Sequence, residues 1–134
     1  MTLYVDTSAL LKRYVDEADS DRFVEVLATD MVWLTCRLTW IETWRNLGRR
    51  LDQASARAAR EAFSADWSHF TIVEIDDALC QDAGQVADTT GARSLDALHL
   101  AALRRAGPTG VTLLTADLRQ AQAARTLGLD VVGA

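Results

Sequence analysis

Four carboxylates in this chain have positions that could make one catalytic site. Asp6 ends the apolar run Leu3-Tyr4-Val5, and Asp117 follows Val111-Thr112-Leu113-Leu114 within three residues. In an open parallel sheet the carboxyl ends of the strands share one edge, and ligands bind there. A β-run leading to an acid near each end of the chain therefore brings distant carboxylates to one rim. Glu42 and Asp96 lie in the first turns of two helical stretches, and helical side chains tilt back toward the N-terminus, so both can point to the same rim. Carboxylates 4–5 Å apart repel by roughly 3–4 kcal/mol at an effective dielectric near 20. Several in one pocket stay ionised only with cations beside them, and carboxylate and water ligands select hard ions such as Mg²⁺ or Mn²⁺. Ions of this kind lower the pKa of a bound water and stabilise the leaving oxygen of a phosphodiester. Asp6, Asp96 and Asp117 are the candidate metal residues. Mg²⁺ needs only one or two direct carboxylates, which suits Asp6 and Asp96 as ligands with Glu42 and Asp117 holding its water.

Each acid also has a plain structural use. Asp6 and Asp117 can cap the helices that follow them. Thr39-Trp40-Ile41-Glu42 matches a capping box, and Asp96, just after Ser94, suits the positive end of a helix dipole. Ser8 and Thr115 lie beside Asp6 and Asp117, where a hydroxyl can bond a carboxylate and fix its rotamer. His99, three residues after Asp96, reads as a packed helix residue rather than a ligand.

The elements that must position these groups alternate between β and α patterns. Leu3 to Val5, Met31 to Thr35, Phe70 to Ile75 and Val111 to Leu114 read as strands, with Asp130 to Val132 as a short fifth. Helices are predicted over Thr7 to Tyr14, Asp19 to Leu27, Thr39 to Leu51, Gln53 to Trp67, Asp76 to Ala87, Ser94 to Ala106 (stopped at Gly107-Pro108) and Asp117 to Leu127. Strands joined by helical pairs imply a mostly parallel sheet of four or five strands, covered on both faces: a three-layer α/β/α sandwich. Residues 1–134 are expected to form one domain, of which roughly 68% of the unfolded surface can be buried.

Composition narrows the function classes. A net charge of −5 argues against coating nucleic acid by bulk electrostatics, while leaving room for a local basic patch. Lys12 is the only lysine, and arginine suits bidentate phosphate contacts. Arg45 and Arg49 follow Glu42 at i+3 and i+7, with Asn46 on the same face, and are candidate guides for phosphates; a solvated charged face is the plainer use. Trp40, Trp44, Leu47 and Leu51 form the opposite stripe, either core or interface. Cys36 and Cys80 lack metal-type spacing and read as free, buried thiols. No apolar run approaches the roughly 18 residues of a membrane span, and the chain opens on a strand rather than a signal pattern, so the expected location is the cytoplasm.

Val5-Asp6-Thr7-Ser8-Ala9-Leu10-Leu11, Glu42, Leu95-Asp96-Ala97-Leu98-His99-Leu100-Ala101 and Leu114-Thr115-Ala116-Asp117 together resemble the four acidic motifs of PIN-domain ribonucleases, most of all the VapC-type toxins of toxin–antitoxin pairs. Order and length match over essentially the whole chain. The resemblance implies a PIN-like fold and an endoribonuclease that cuts RNA with Mg²⁺ or Mn²⁺ held by Asp6, Glu42, Asp96 and Asp117. Thr115 would support the site. It further implies a small cognate antitoxin as partner and a homodimer. One departure is that Leu118, Arg119 and Gln120 follow Asp117 where some relatives place another acid, which favours a single bound ion. A catalytically silent PIN-like module that binds RNA or protein is the alternative, although a pure binder gains nothing from clustered acids. A receiver domain lacks its strand-end lysine here, since Lys12 falls inside the first helix. A haloacid-dehalogenase-type phosphatase would need an aspartate at Ser8.

Overall fold

The N-terminal apolar run forms strand β1 (Thr2–Val5), and its Leu3, Tyr4 and Val5 are fully buried, as a central parallel strand with both faces covered requires. In the computed structural model, which describes residues 2–107 and 109–134, the chain continues through α1 (Thr7–Leu11), α2 (Ser20–Leu27), β2 (Leu34–Cys36), α3 (Leu38–Arg50), α4 (Gln53–Trp67) and β3 (Thr71–Val73). It then runs through α5 (Asp77–Thr90), α6 (Ser94–Ala106), β4 (Val111–Thr115), α7 (Leu118–Thr126) and β5 (Asp130–Gly133). All strand pairs are parallel, in the order β3-β2-β1-β4-β5. The sheet grows from β1 to β3 in one direction, then α5 and α6 carry the chain back to set β4 on the other side of β1. The order reverses between β1 and β4, and such a reversal opens a crevice beyond the strand ends.

Alternation along the strands divides the core in two. Leu3, Val5 and Leu114 pack with Ala9, Leu10, Phe23, Leu47 and Phe63 from α1 to α4. Tyr4, Cys36 and Leu113 face α5, α6 and α7 through Leu79, Val86, Leu100, Leu103 and Ala124. The expected three-layer α/β/α sandwich is present, with its fifth strand. Trp40, Trp44 and Leu51 pack against the first of these clusters beside fully buried Leu47. Stacking of Trp40 on Trp44, at 5.0 Å between centroids, and the Arg60 guanidinium 4.4 Å from Trp44 complete that seam. The stripe is therefore largely core.

Several boundaries differ from the sequence reading. The first helix stops at Leu11 instead of Tyr14, because Arg13 and Tyr14 turn back by i→i−3 bonds to Leu10 and Leu11. Lys12 is consequently the C-cap of α1. Strand β2 begins at Leu34 and not at Met31. The Asp30 carboxylate accepts from the Leu3 and Val32 amides and holds a turn there, leaving Met31 95% exposed. The Thr39-to-Glu42 capping box does not form, since α3 starts one residue earlier and buried Thr39 bonds Thr35 at 2.6 Å. Cys36 is buried as expected, but Cys80 is exposed, because it falls off the Leu79, Ala83, Val86 stripe that α5 buries. Pro108, part of the stop signal after α6, lies outside the described residues.

Candidate active site

Beyond the β1–β4 reversal, a cavity of about 220 Å³ is lined by Asp6, Thr7, Ser8, Leu11, Glu42, Asn46, Asp96, His99 and Asp117. All four predicted acids meet there. Asp6 arrives because β1 and β4 pair Val5 with Leu114, and the Asp6 amide continues the ladder to the Leu114 carbonyl at 3.2 Å. Asp117 follows β4 by two residues, while Glu42 and Asp96 come from the early turns of α3 and α6. Larger cavities lie elsewhere, including one of about 710 Å³ between α3 and α4 beside Trp44, Leu51 and Arg60, but none of the four acids lines that one.

The plain structural uses and the site coexist. Asp6 Oδ1 caps α1 by accepting from the Ala9 amide at 3.1 Å, and it also accepts from Ser8 Oγ at 2.7 Å. Asp117 Oδ1 caps α7 through the amides of Arg119 and Gln120. In each case one oxygen is used, and Oδ2 accepts no hydrogen bond among the described residues. The Asp96 carboxylate accepts none among them either. Thr115 acts through Ser8: its Oγ1 lies 3.2 Å from Ser8 Oγ and accepts from the Asp117 amide at 3.1 Å. The Ala116 amide also donates to Ser8 Oγ at 2.9 Å. The two hydroxyls thus tie the ends of β1 and β4 to the Asp6 carboxylate.

Glu42 is held differently. Its Oε1 accepts from Thr7 Oγ1 at 2.6 Å and lies 2.7 Å from His99 Nε2. His99 is only 3% exposed, and its Nδ1 meets Tyr4 Oη at 3.0 Å and Cys36 Sγ at 3.6 Å. Burial opposes charge on this imidazole, but its bonds to Cys36 and Glu42 prevail and hold its pKa up at about 10. Burial likewise opposes the Glu42 charge, yet the His99 imidazolium and Thr7 keep that carboxyl below its ordinary value. His99 is the site residue whose role sequence reasoning missed. Its position three residues after Asp96, on the same side of α6, was the available signal.

Two of the other acids, Asp6 and Asp96, are pushed toward neutrality. Burial raises Asp6, against the pull of His99 and the Thr115 and Ser8 hydroxyls. Burial and the nearby Asp117 charge raise Asp96. Oxygen-only donors with unpaired lone pairs and raised carboxyl pKa values fit a hard divalent cation. Among the described residues, no three acidic, histidine or cysteine side chains are gathered closely enough to hold one ion together. Arg45 and Arg49 are exposed on α3 and stand outside the cavity lining, whereas Asn46 lines it while donating to the Glu42 carbonyl at 2.8 Å.

The PIN domain family matches residues 3–126. The chain belongs to that family. The ribonuclease VapC46 of Mycobacterium tuberculosis is 33% identical over 130 residues, covering 97% of this chain and 95% of the relative. The ribonuclease VapC35 of the same species is also 33% identical, with the same coverage over 134 residues. Among solved structures, the sarcin–ricin-loop-cleaving toxin VapC20 of M. tuberculosis superposes with a TM-score of 0.75 at 19% identity, over 99% of this chain and 98% of that one. At that identity the likeness supports the PIN fold alone, while the sequence relatives support membership.

Proposed function

We propose that this PIN-domain protein is a Mg²⁺- or Mn²⁺-dependent endoribonuclease, the toxin of a VapBC-type toxin–antitoxin pair working in the cytoplasm. The observation that carries the proposal is the convergence of Asp6, Glu42, Asp96 and Asp117, from four separate elements, on one cavity at the strand-order reversal. Kinship to ribonucleases named VapC supports it.

Asp6 and Asp96 would ligate the ion directly, and Asp117 would hold it through a bound water. Bound there, a divalent cation lowers the pKa of water and stabilises charge on the leaving oxygen of a phosphodiester. Ser8 and Thr115 keep the Asp6 rotamer fixed. His99 and Thr7 keep Glu42 ionised with Oε1 occupied, so that Oε2 remains to orient water and accept its proton. Arg45 and Arg49, on the Glu42 side of α3, offer guanidinium groups to the approaching phosphates.

Exposed apolar side chains adjoin three of the acids: Ile41 beside Glu42, Leu95 beside Asp96 and Leu118 beside Asp117, at 60%, 50% and 61% exposure. Such residues around a charged cavity suit a protein cover, which supports a small antitoxin that docks over the site, and a second copy of the chain as a further partner. Among the described residues no helix is long and apolar enough to cross a membrane.

The test is incubation of the protein with structured RNA and Mg²⁺, repeated with EDTA and with Asp6→Asn. Cleavage by the native chain that disappears in both controls is expected. Cleavage that survives Asp6→Asn would sink the assignment, and RNA binding without any cleavage would favour the silent module.

A further inference from the structure

The acid cavity, of about 220 Å³, is smaller than a typical small-molecule site, so a bound strand would extend beyond it. A second cavity, of about 590 Å³, lies on the α6–α7 side and shares Asp96 and Asp117 with the first. Its volume falls within the range of small-molecule sites. Its wall runs from the α5–α6 turn, where Gly91 ends α5 in the left-handed conformation, to the exposed face of α7.

We propose that this second cavity seats the nucleotide flanking the scissile phosphate, with Arg93 and Arg119 on its phosphate and Gln120 and Gln122 near its base. The inference rests on the ribonuclease reading above and deepens it. Three observations carry it. Arg93 and Arg119 both line the cavity, and neither guanidinium joins an ion pair among the described residues, so both remain available to a phosphate. Gln120 is 2% exposed and is fixed by an Nε2 bond to the Asp96 carbonyl at 3.0 Å, yet its Oε1 has no partner among the described residues. A buried amide acceptor without a donor is costly, and because Gln120 lines the cavity a small shift of its side chain would let an exocyclic amine or ribose hydroxyl there satisfy it. Finally, Asp96 and Asp117 belong to the acid site, so the charged groups on the outer wall are both basic. Unpaired nucleotides splayed into polar pockets are how proteins commonly read single-stranded RNA.

The experiment measures binding of fluorescent single-stranded RNA to Asp6→Asn protein, alone and with Arg93→Ala/Arg119→Ala added, across a salt series. The double substitution should weaken binding about tenfold and lower the slope of log affinity against log salt by about 0.7 to 1.4, for one or two lost phosphate contacts. Arg93→Lys/Arg119→Lys should retain the slope, and Gln122→Trp, which fills the cavity from the exposed face of α7, should weaken binding with the slope unchanged. Trimming the RNA from one end, and not from the other, should abolish the difference between Asp6→Asn protein and its Arg93→Ala/Arg119→Ala derivative. Equal affinity and slope in these two proteins, with RNA still bound, overturns this site and leaves the ribonuclease reading intact. An arginine pair needed only for an acidic peptide gives that same result on RNA and also overturns it. Absence of both RNA binding by Asp6→Asn protein and cleavage by the native chain overturns the ribonuclease reading together with this one.

Discussion

Asp6 separates a structural carboxylate from a catalytic one, because the two roles predict different stability changes for the same substitution. As a helix cap, Asp6 contributes through Oδ1, which receives the Ala9 amide and the Ser8 hydroxyl. Asparagine keeps that acceptor and caps about as well as aspartate, so a purely structural Asp6 predicts almost no change for Asp6→Asn and a loss of about 1 kcal/mol for Asp6→Ala. A site carboxylate behaves differently. Asp6 is 5% exposed, and its pKa is raised by burial, so in the metal-free protein its charge opposes folding. Removing that charge while retaining the cap should stabilise the metal-free protein by about 1–2 kcal/mol, the usual return from relieving a functional site. For a chain of this length that corresponds to a Tm rise of roughly 3–8 °C. Asp6→Ala should come out near neutral, with cap loss and charge relief offsetting one another. Thermal melts in EDTA and in millimolar Mg²⁺ provide the assay. The native protein should gain stability with added metal according to RT ln(1 + [L]/Kd), and Asp6→Asn should gain far less. A destabilised Asp6→Asn in EDTA, or equal metal stabilisation of both proteins, would refute the reasoning.

Other predictions use the same network. His99 has a raised pKa near 10, so its contribution to stability is full below the ordinary histidine value and is lost as pH rises through about 10. Urea melts should therefore show the native protein losing more stability between pH 7 and 10 than His99→Gln, and parallel curves would contradict the ion pair. Asp6 and Asp96, both raised, make the metal-free protein less stable as pH climbs through their titration, so Mg²⁺ should raise Tm more at pH 8 than at pH 5. His99→Leu leaves Glu42 without its cation and should cost about 2–4 kcal/mol, with His99→Gln recovering part of this; a loss below about 0.5 kcal/mol would deny His99 its role. Arg45→Glu/Arg49→Glu should weaken RNA cleavage and flatten its salt dependence, and unchanged kinetics in both respects would remove these residues from the RNA path.

The fold was legible because its signals are local and mutually consistent. Leu3-Tyr4-Val5 and Leu113-Leu114 are continuous apolar runs, and the helical pairs between strands leave little choice but a parallel sheet. The errors arose where a distant partner overrode a local pattern. Met31 to Trp33 have strand propensity, but the Asp30 side chain reaches the Leu3 amide and turns the chain there. Thr39 and Glu42 have capping-box spacing, but Thr35 and His99 claim their side chains. The same competition explains what was missed at the site. Asp6 and Asp117 could be read from strand ends, whereas the His99–Glu42 pair joins helices 57 residues apart and has no local signature. Arg93 and Arg119 were likewise silent in the sequence, because only the return of α7 past the α5–α6 turn brings them to one cavity.

The distribution of charge around the acids explains why some partners are built in and others are not. Four carboxylates in one cavity would disfavour folding if all were left to themselves, and His99 relieves one of them permanently. Its position is informative: it is buried behind Glu42, in contact with Tyr4 and Cys36. A fixed cation there keeps Glu42 ionised without occupying the space a divalent ion would need. Asp6, Asp96 and Asp117 form no ion pair among the described residues, which suits the proposed use of an exchangeable divalent ion. One divalent ion against three carboxylates still leaves a net negative charge, which repels a phosphodiester. In the proposed reading, Arg45 and Arg49 on α3 and the arginines of the second cavity are the positive groups that can touch the strand without pairing with the acids. Arginine pairs outside the acid cavity fit the same electrostatics that gathers the acids.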